Sequence, residues 1–270
     1  MNWKKLFKWA WWIFIIYVLI GAAFYFLQDR ILFRPVRLKK NHAFQFPNPH
    51  EEIHLPVNGN ETIHLVRFHA AVSNRRGIIL YFHGNKKNIG WYARHMPFLT
   101  NRGYEVLMID YPGFGKSQGK LNEQRLYDWA LETYKLAHRS YPADSITIYG
   151  KSMGTGIAAW LATARDCKQV ILETPYYDMP SVIQRYLPVY PVKWMLHYQL
   201  PTYQYLQNIS VPVTIFHGTK DRMISYRNAS RLKPYLKSND EFITIEKGKH
   251  NNLNKFDLVQ RKLDSLLGIE

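Results

Sequence analysis

A serine with glycines two residues before and two residues after it, Gly150-Lys151-Ser152-Met153-Gly154, is the strongest chemical signal in the chain. A serine hydroxyl becomes a useful nucleophile only when a base takes its proton. A G-x-S-x-G turn between a strand and a helix holds such a serine above the end of a sheet. The surroundings fit that arrangement. Ile146-Thr147-Ile148-Tyr149 reads as a strand, and the small-residue-rich stretch 152–164 reads as a helix. The two glycines keep side chains away from the point where the backbones cross.

The base is expected downstream, oriented by a carboxylate that lies between serine and base in sequence. Of the eleven histidines, His250 alone combines this order with a loop after the last expected strand, in Lys247-Gly248-Lys249-His250-Asn251-Asn252. His217 is also downstream, but it ends the strand that should supply the acid and is read as structural. Asp221, in His217-Gly218-Thr219-Lys220-Asp221, lies on a short loop at a strand end and is the expected acid, holding one tautomer of the imidazole. Its rivals fit less well. Asp178 lies in a separate insertion, and Asp240 and Glu241 precede their strand. Asp110 ends a strand before the serine and is read as a loop anchor. A tetrahedral intermediate needs donors for its oxyanion. The backbone N–H of Met153, next to the serine, and that of Asn85, in the loop His83-Gly84-Asn85, are the expected pair.

The elements that must position these groups alternate. Residues 52–57 and 61–68 flank Asn58-Gly59 and read as a hairpin. Strands are expected at 77–82, 104–109, 145–149, 169–172, 211–216 and 242–245, with helices at 89–101, 121–138, 152–164, 226–236 and 252–267. Strands separated by helices imply crossover units and a mainly parallel sheet, an α/β fold. Residues 175–206, rich in tyrosine and proline, interrupt the alternation and are expected to form a small lid over the carboxyl ends of the strands.

Composition narrows the function further. The chain has 270 residues, one cysteine and a formal charge of +16. A lone thiol excludes an internal disulfide and a cysteine-based zinc site. No nucleic-acid-binding signature accompanies the charge, so no nucleic-acid partner is expected. Eight basic residues, against the single acid Asp29, fall in the first 50 positions and bracket the uncharged run 9–27. A helix of that length spans about 28 Å, close to a hydrocarbon core of about 30 Å. Tryptophans 9, 11 and 12 at one end and Phe24, Tyr25 and Phe26 at the other suit the two interfaces. Residues 1–30 are therefore expected to be an uncleaved N-terminal membrane anchor and 31–270 the catalytic domain. Basic residues on both sides of the run leave the orientation open.

The strings YFHGN, DYPGFGKSQG, YGKSMG, HGTKDRMI and KGKHNNL together resemble the α/β-hydrolase superfamily, and within it the membrane-anchored α/β-hydrolase-domain-containing proteins. The resemblance covers about residues 31–267. It implies the α/β-hydrolase fold and a serine hydrolase with Ser152 as nucleophile, Asp221 as acid and His250 as base, without a cofactor or a metal. The superfamily includes esterases, lipases, thioesterases and exopeptidases, so no substrate-binding residue is assigned. The expected substrate is an acyl ester or thioester, lipid-like in view of the anchor and the aromatic insertion. A peptidase on the same scaffold and a non-catalytic binding module are the alternatives. Two departures from the family pattern are the lid sequence and the basic loop Lys86-Lys87-Asn88.

Other residues have plainer readings. His42, His50, His54, His64 and His69 lack ligand spacing and are expected to be scattered surface residues. Cys167 is expected to be a small buried hydrophobe. Asn60, Asn208 and Asn228 begin N-x-S/T triplets, a pattern frequent by chance. Arg222, Arg227, Arg231, Lys233 and Lys237 are read as a solvated face.

Overall fold

Five of the strands are continuous runs of mostly apolar residues, and the computed structural model, which describes residues 3–268, buries every residue in them. Runs of this kind suit strands covered on both faces. In chain order the sheet contains β1 (His50–Asn58), β2 (Glu61–Phe68), β3 (Gly77–Phe82), β4 (Tyr104–Asp110), β5 (Ile146–Lys151), β6 (Gln169–Glu173), β7 (Val213–Gly218) and β8 (Glu241–Ile245). Their spatial order is β1-β2-β4-β3-β5-β6-β7-β8. β2 alone runs opposite to the other seven strands. This is the α/β-hydrolase fold. The two-residue hairpin loop is Gly59-Asn60, with Gly59 at φ +47°, one position later than the Asn-Gly signal suggests.

The named helices are α1 (Trp3–Leu32), α2 (Glu123–His138), α3 (Gly154–Ala164), α4 (Met179–Gln184), α5 (Val192–Met195), α6 (Thr202–Leu206) and α7 (Asp257–Leu266). Alternate strand residues feed two cores. Leu107, Ile148, Leu172 and Ile215 pack towards Trp129, Ile157 and Leu161 of α2 and α3. Met108, Tyr149, Ile171 and Phe216 pack towards Met96, Leu99, Val259 and Leu263. Asn122 starts α2 by accepting the Arg125 N–H on Oδ1 at 2.8 Å.

Several expected elements are shorter than their sequence pattern. The helix expected at 89–101 is broken into Ile89–Tyr92, a turn at Ala93–His95 and Met96–Thr100. The helix expected at 226–236 stops at Ser230 and continues only as a turn at Lys233–Tyr235. Pro234 lies inside that turn and has no N–H for an α-helical bond. The last helix begins at Asp257, after a separate turn at Leu253–Lys255.

One histidine departs from the surface reading. His64 is fully buried, with Nδ1 3.2 Å from Asp110 Oδ2 and Nε2 2.9 Å from Glu52 Oε2. Asp110 also accepts the Ile89 N–H on Oδ1 at 2.9 Å. Burial alone would raise the Asp110 carboxyl pKa, but hydrogen bonds and charge from His64 and His83 hold it below the usual range. Glu52, His54 and His64 bring one donor atom each within 4.8 Å of one another. The Lys116 ammonium already pairs with Glu52 Oε2 at 2.5 Å, so a cation is part of that cluster. Cys167 is buried, which pushes its thiol up to about 12.

The 30-residue α1 is long and apolar enough to cross a membrane. Only Gly21, Phe24, Gln28 and Leu32 of it are buried. Gln28 fastens it to residues 195–197: its Nε2 donates to Met195 O at 3.1 Å and its Oε1 accepts the His197 N–H at 2.7 Å.

Asp110→Asn should cost about 2 kcal/mol, because an amide must present a donor where two donors now converge. A lowered native pKa means that wild type gains from the charged carboxylate above the ordinary value of about 4. That gain is lost as pH falls through Asp110's own, lower value. Urea midpoints of both proteins between pH 7 and pH 3 should differ most at neutral pH and converge in acid.

Candidate active site

The turn between β5 and α3 is sterically tight. Ser152 sits at φ +52°, a left-handed conformation that an L side chain rarely adopts. A Cβ at Gly150 would lie 2.6 Å from both Gly154 O and Thr155 Cα, and one at Gly154 would lie 2.0 Å from Phe82 O. Both positions therefore require glycine. The Ser152 N–H donates to Glu173 O at the end of β6 at 2.9 Å, and Ser152 O accepts the Thr155 N–H at 2.9 Å.

The ends of three strands bring the sequence-selected residues together. His250 Nε2 is 3.0 Å from Ser152 Oγ, and His250 Nδ1 is 2.7 Å from Asp221 Oδ2. Asp221 is fixed by its other oxygen, which accepts the Met223 and Ile224 N–H groups at 2.8 and 3.0 Å. Burial pushes the Asp221 carboxyl up, but the hydrogen bond and charge of His250, the Ile224 N–H and His217 outweigh it and hold the pKa below the usual range. Asp221 is thus a carboxylate at neutral pH, able to accept a hydrogen bond from Nδ1–H and leave Nε2 free to accept from the serine.

His217 stands outside this line. Its Nε2 meets Ile224 O at 3.0 Å, and burial lowers the pKa of its imidazole. Asp178 caps α4, accepting the Ser181 N–H at 2.7 Å, and Asp240 accepts the Val213 N–H at 2.9 Å. Neither reaches His250.

Asn85 and Met153 lie with Ser152 on the wall of one cavity. Among the described residues, neither backbone N–H meets an acceptor. Asn85 is held on two sides: its Nδ2 donates to Leu32 O at 2.5 Å, and its own carbonyl accepts the Arg34 N–H at 2.9 Å. His83 steadies the same loop, with Nδ1 2.7 Å from Gly84 O and its carbonyl accepting the Tyr111 hydroxyl at 2.7 Å.

The cavity measures about 610 Å³ and is mainly apolar. Two walls come from outside the sheet, one from α1, which the sequence does not indicate, and one from within the expected lid stretch 175–206. Ile20, Ala23, Phe24, Leu27 and Ile31 of α1 form one, and Met179, Val182, Ile183, Tyr186 and Leu187 form the other. Arg34 and Lys86 bring cations to it, and among the described residues no carboxylate lines it. A buried ion pair, Lys151 with Glu173, was also not anticipated. Tyr149 donates to the second Glu173 oxygen at 2.8 Å. A lysine beside the serine and a glutamate ending a buried strand were the available signals.

Comparisons with known proteins agree with this architecture. The family described as Serine aminopeptidase, S33 matches residues 73–206. The alpha/beta hydrolase domain-containing protein aho-3 of Caenorhabditis elegans is 24% identical over 203 residues, covering 73% of this chain and 59% of the relative. The human alpha/beta hydrolase domain-containing protein 17C is 25% identical over 199 residues, covering 72% and 59%. The chain spans about three fifths of the length of these curated relatives. Among solved structures, the Pyrococcus furiosus esterase Pf2001 superposes with a TM-score of 0.67 at 18% identity, over 88% of this chain and 97% of that one. A soluble variant of the Saccharomyces cerevisiae monoglyceride lipase gives 0.63 at 16% identity, over 85% and 98%. These structures share the fold. The chain belongs to the α/β-hydrolase superfamily and is related to its α/β-hydrolase-domain-containing proteins.

Glu173→Gln should cost about 3–5 kcal/mol, because it leaves the Lys151 ammonium buried without a counter-charge. Chemical denaturation of the variant beside wild type measures this directly. An unchanged midpoint would mean that the pair does not brace the serine turn.

Proposed function

We propose that this α/β-hydrolase is a membrane-anchored serine hydrolase that cleaves carboxylic ester or thioester bonds through an acyl-enzyme. The observation that carries the reading is the line of contacts from Ser152 Oγ through His250 to Asp221, at 3.0 and 2.7 Å. In this mechanism Ser152 Oγ attacks the acyl carbon while its proton moves to His250 Nε2. Asp221 stabilises the imidazolium. The oxyanion accepts the N–H groups of Asn85 and Met153. Collapse breaks the bond to the leaving alcohol or thiol, which takes the proton from Nε2. Water then repeats the sequence on the acyl-enzyme and releases the carboxylic acid.

The apolar walls of the cavity favour an acyl chain. An aminopeptidase would need an anion for the substrate's terminal amine, whereas Arg34 and Lys86 are the charges at this cavity and Asp178 is spent on a helix cap. The ester and thioester reading is therefore preferred to the peptidase one. The anchor is α1, whose run 9–27 carries no charge and whose tryptophans 9, 11 and 12 are exposed.

The test is hydrolysis of a chain-length series of acyl esters and thioesters by detergent-solubilised protein. Ser152→Ala should remove turnover by about 10⁴-fold or more. Asp221→Asn should fold normally and lower kcat by about 10⁴-fold, since it favours the wrong imidazole tautomer. Full turnover by folded Ser152→Ala would place the nucleophile elsewhere.

A further inference from the structure

The membrane helix is not a tether separate from the site. Its stretch from Ile20 to Ile31 is a wall of the cavity that reaches Ser152. The eleven rises from Ile20 to Ile31 cover about 16 Å along the axis, roughly half of a hydrocarbon core of about 30 Å. With the uncharged run 9–27 spanning a bilayer, Ile20 lies about 10 Å inside the end of that run, so the wall stays within one leaflet.

A second element is fixed at the same depth. Tyr17 and Tyr190 stack with ring centres 4.5 Å apart and planes within 1°. Tyr190 donates its hydroxyl to Tyr17 O at 2.9 Å, and Tyr17 donates to Val189 O at 3.2 Å. Gly21 permits the approach, since a Cβ there would meet Tyr190 at 2.9 Å. Tyr17 is ten residues before Leu27, the end of the uncharged run. Residues 189 and 190 must therefore accompany it below the headgroups.

The composition of this stretch suits hydrocarbon. Residues 186–192 carry no charge, and Tyr186, Val189 and Trp194 are 59%, 70% and 85% exposed. Backbone polar groups in lipid must be satisfied internally, and every carbonyl from 187 to 192 has a donor. Gln184 Nε2, with two hydrogens to donate, lies 2.9, 3.2 and 3.0 Å from Leu187 O, Pro188 O and Tyr190 O, and the N–H groups of Tyr190 and Val192 also serve Leu187 O and Tyr190 O. Tyr17 serves Val189 O, and backbone N–H groups serve Pro191 O and Val192 O. Pro188 and Pro191 remove two donors. A loop in water has no need of a glutamine engaged in this way. Lys193 is the one cation inside the segment, and its four-carbon stem lets the ammonium reach the headgroups.

We propose that residues 186–194 insert into the bilayer beside α1, so that the cavity opens sideways into the leaflet and takes the ester-linked acyl chain of a membrane lipid directly from it. The cavity walls from α1 and from 182–187 are then the two sides of a lateral entrance. This proposal rests on the reading of α1 as a membrane anchor and of Ser152 as the nucleophile.

The test uses the full-length protein reconstituted in phosphatidylcholine vesicles and two substrates. One is a short-chain ester supplied from water; the other is a long-chain acyl-glycerophospholipid with a fluorogenic acyl group, embedded in the vesicle. Val189→Asp and Trp194→Asp lie outside the cavity wall. Each should lower turnover of the embedded lipid at least tenfold and leave the soluble ester within twofold. A polarity-sensitive fluorophore on Trp194→Cys should be quenched by bromolipids and shielded from aqueous iodide; the buried Cys167 does not compete for the label. Unchanged lipid turnover in both aspartate variants, or quenching by iodide instead of bromolipid, would overturn the proposal. Wild-type protein that hydrolyses neither substrate would overturn the serine-hydrolase reading instead, while the quenching experiment would still decide insertion.

Discussion

The arrangement depends on one backbone crossing, where α3 leaves the end of β5 against the end of β3. Ser152 can occupy φ +52° there because Gly150 and Gly154 remove the two side chains that would collide. Such a conformation costs about 1–3 kcal/mol and persists only where its surroundings over-determine it. The hydrogen bond to Glu173 O and the Lys151–Glu173 ion pair supply that constraint from β6. Once the crossing is fixed, the neighbouring strand ends are fixed too. β3 leads into Asn85, β7 into Asp221 and β8 into His250, so residues up to 165 positions apart meet within one cavity rim.

Much of this was legible in the sequence because it rests on local patterns. The apolar run 77–82 fits a strand buried on both faces and 145–149 reads as the strand before the serine, a strand that begins at Ile146, and the order of serine, aspartate and histidine follows from which strand each one terminates. What escaped depends on partners remote in sequence. His64 alternates in a hairpin like a surface residue, yet Asp110 at the end of β4 and Glu52 of β1 take its two nitrogens, and Lys116 pairs with that Glu52. The helix patterns at 89–101 and 226–236 overran because apolar spacing continues through prolines that the backbone hydrogen bonds do not tolerate. The cavity walls were least legible. A helix that is apolar all round has no hydropathy face, so nothing in the run 9–27 indicates that Ala23, Phe24 and Leu27 turn towards Ser152.

That contact makes α1 part of the chemistry's surroundings. Its last carbonyl, Leu32 O, accepts from the Asn85 side chain, and Arg34 donates to the Asn85 carbonyl. The loop that offers an N–H to the oxyanion in the proposed mechanism is therefore positioned by the end of α1. Gln28 joins the same helix to residues 195–197, and Tyr17 joins it to 189 and 190. Removing α1 would open the cavity, release one side of Asn85 and leave the 186–194 segment without its partner. Pocket shape and the proposed membrane placement are coupled through one helix.

The most direct test of the central claim is covalent capture of the serine. Full-length protein in detergent would be treated with a fluorophosphonate, digested, and the modified peptide identified by mass spectrometry. The account predicts a single adduct on Ser152 that forms in wild type and is lost in folded His250→Ala, because the hydroxyl then has no base. An adduct elsewhere, or equal labelling of Ser152 without His250, would contradict it.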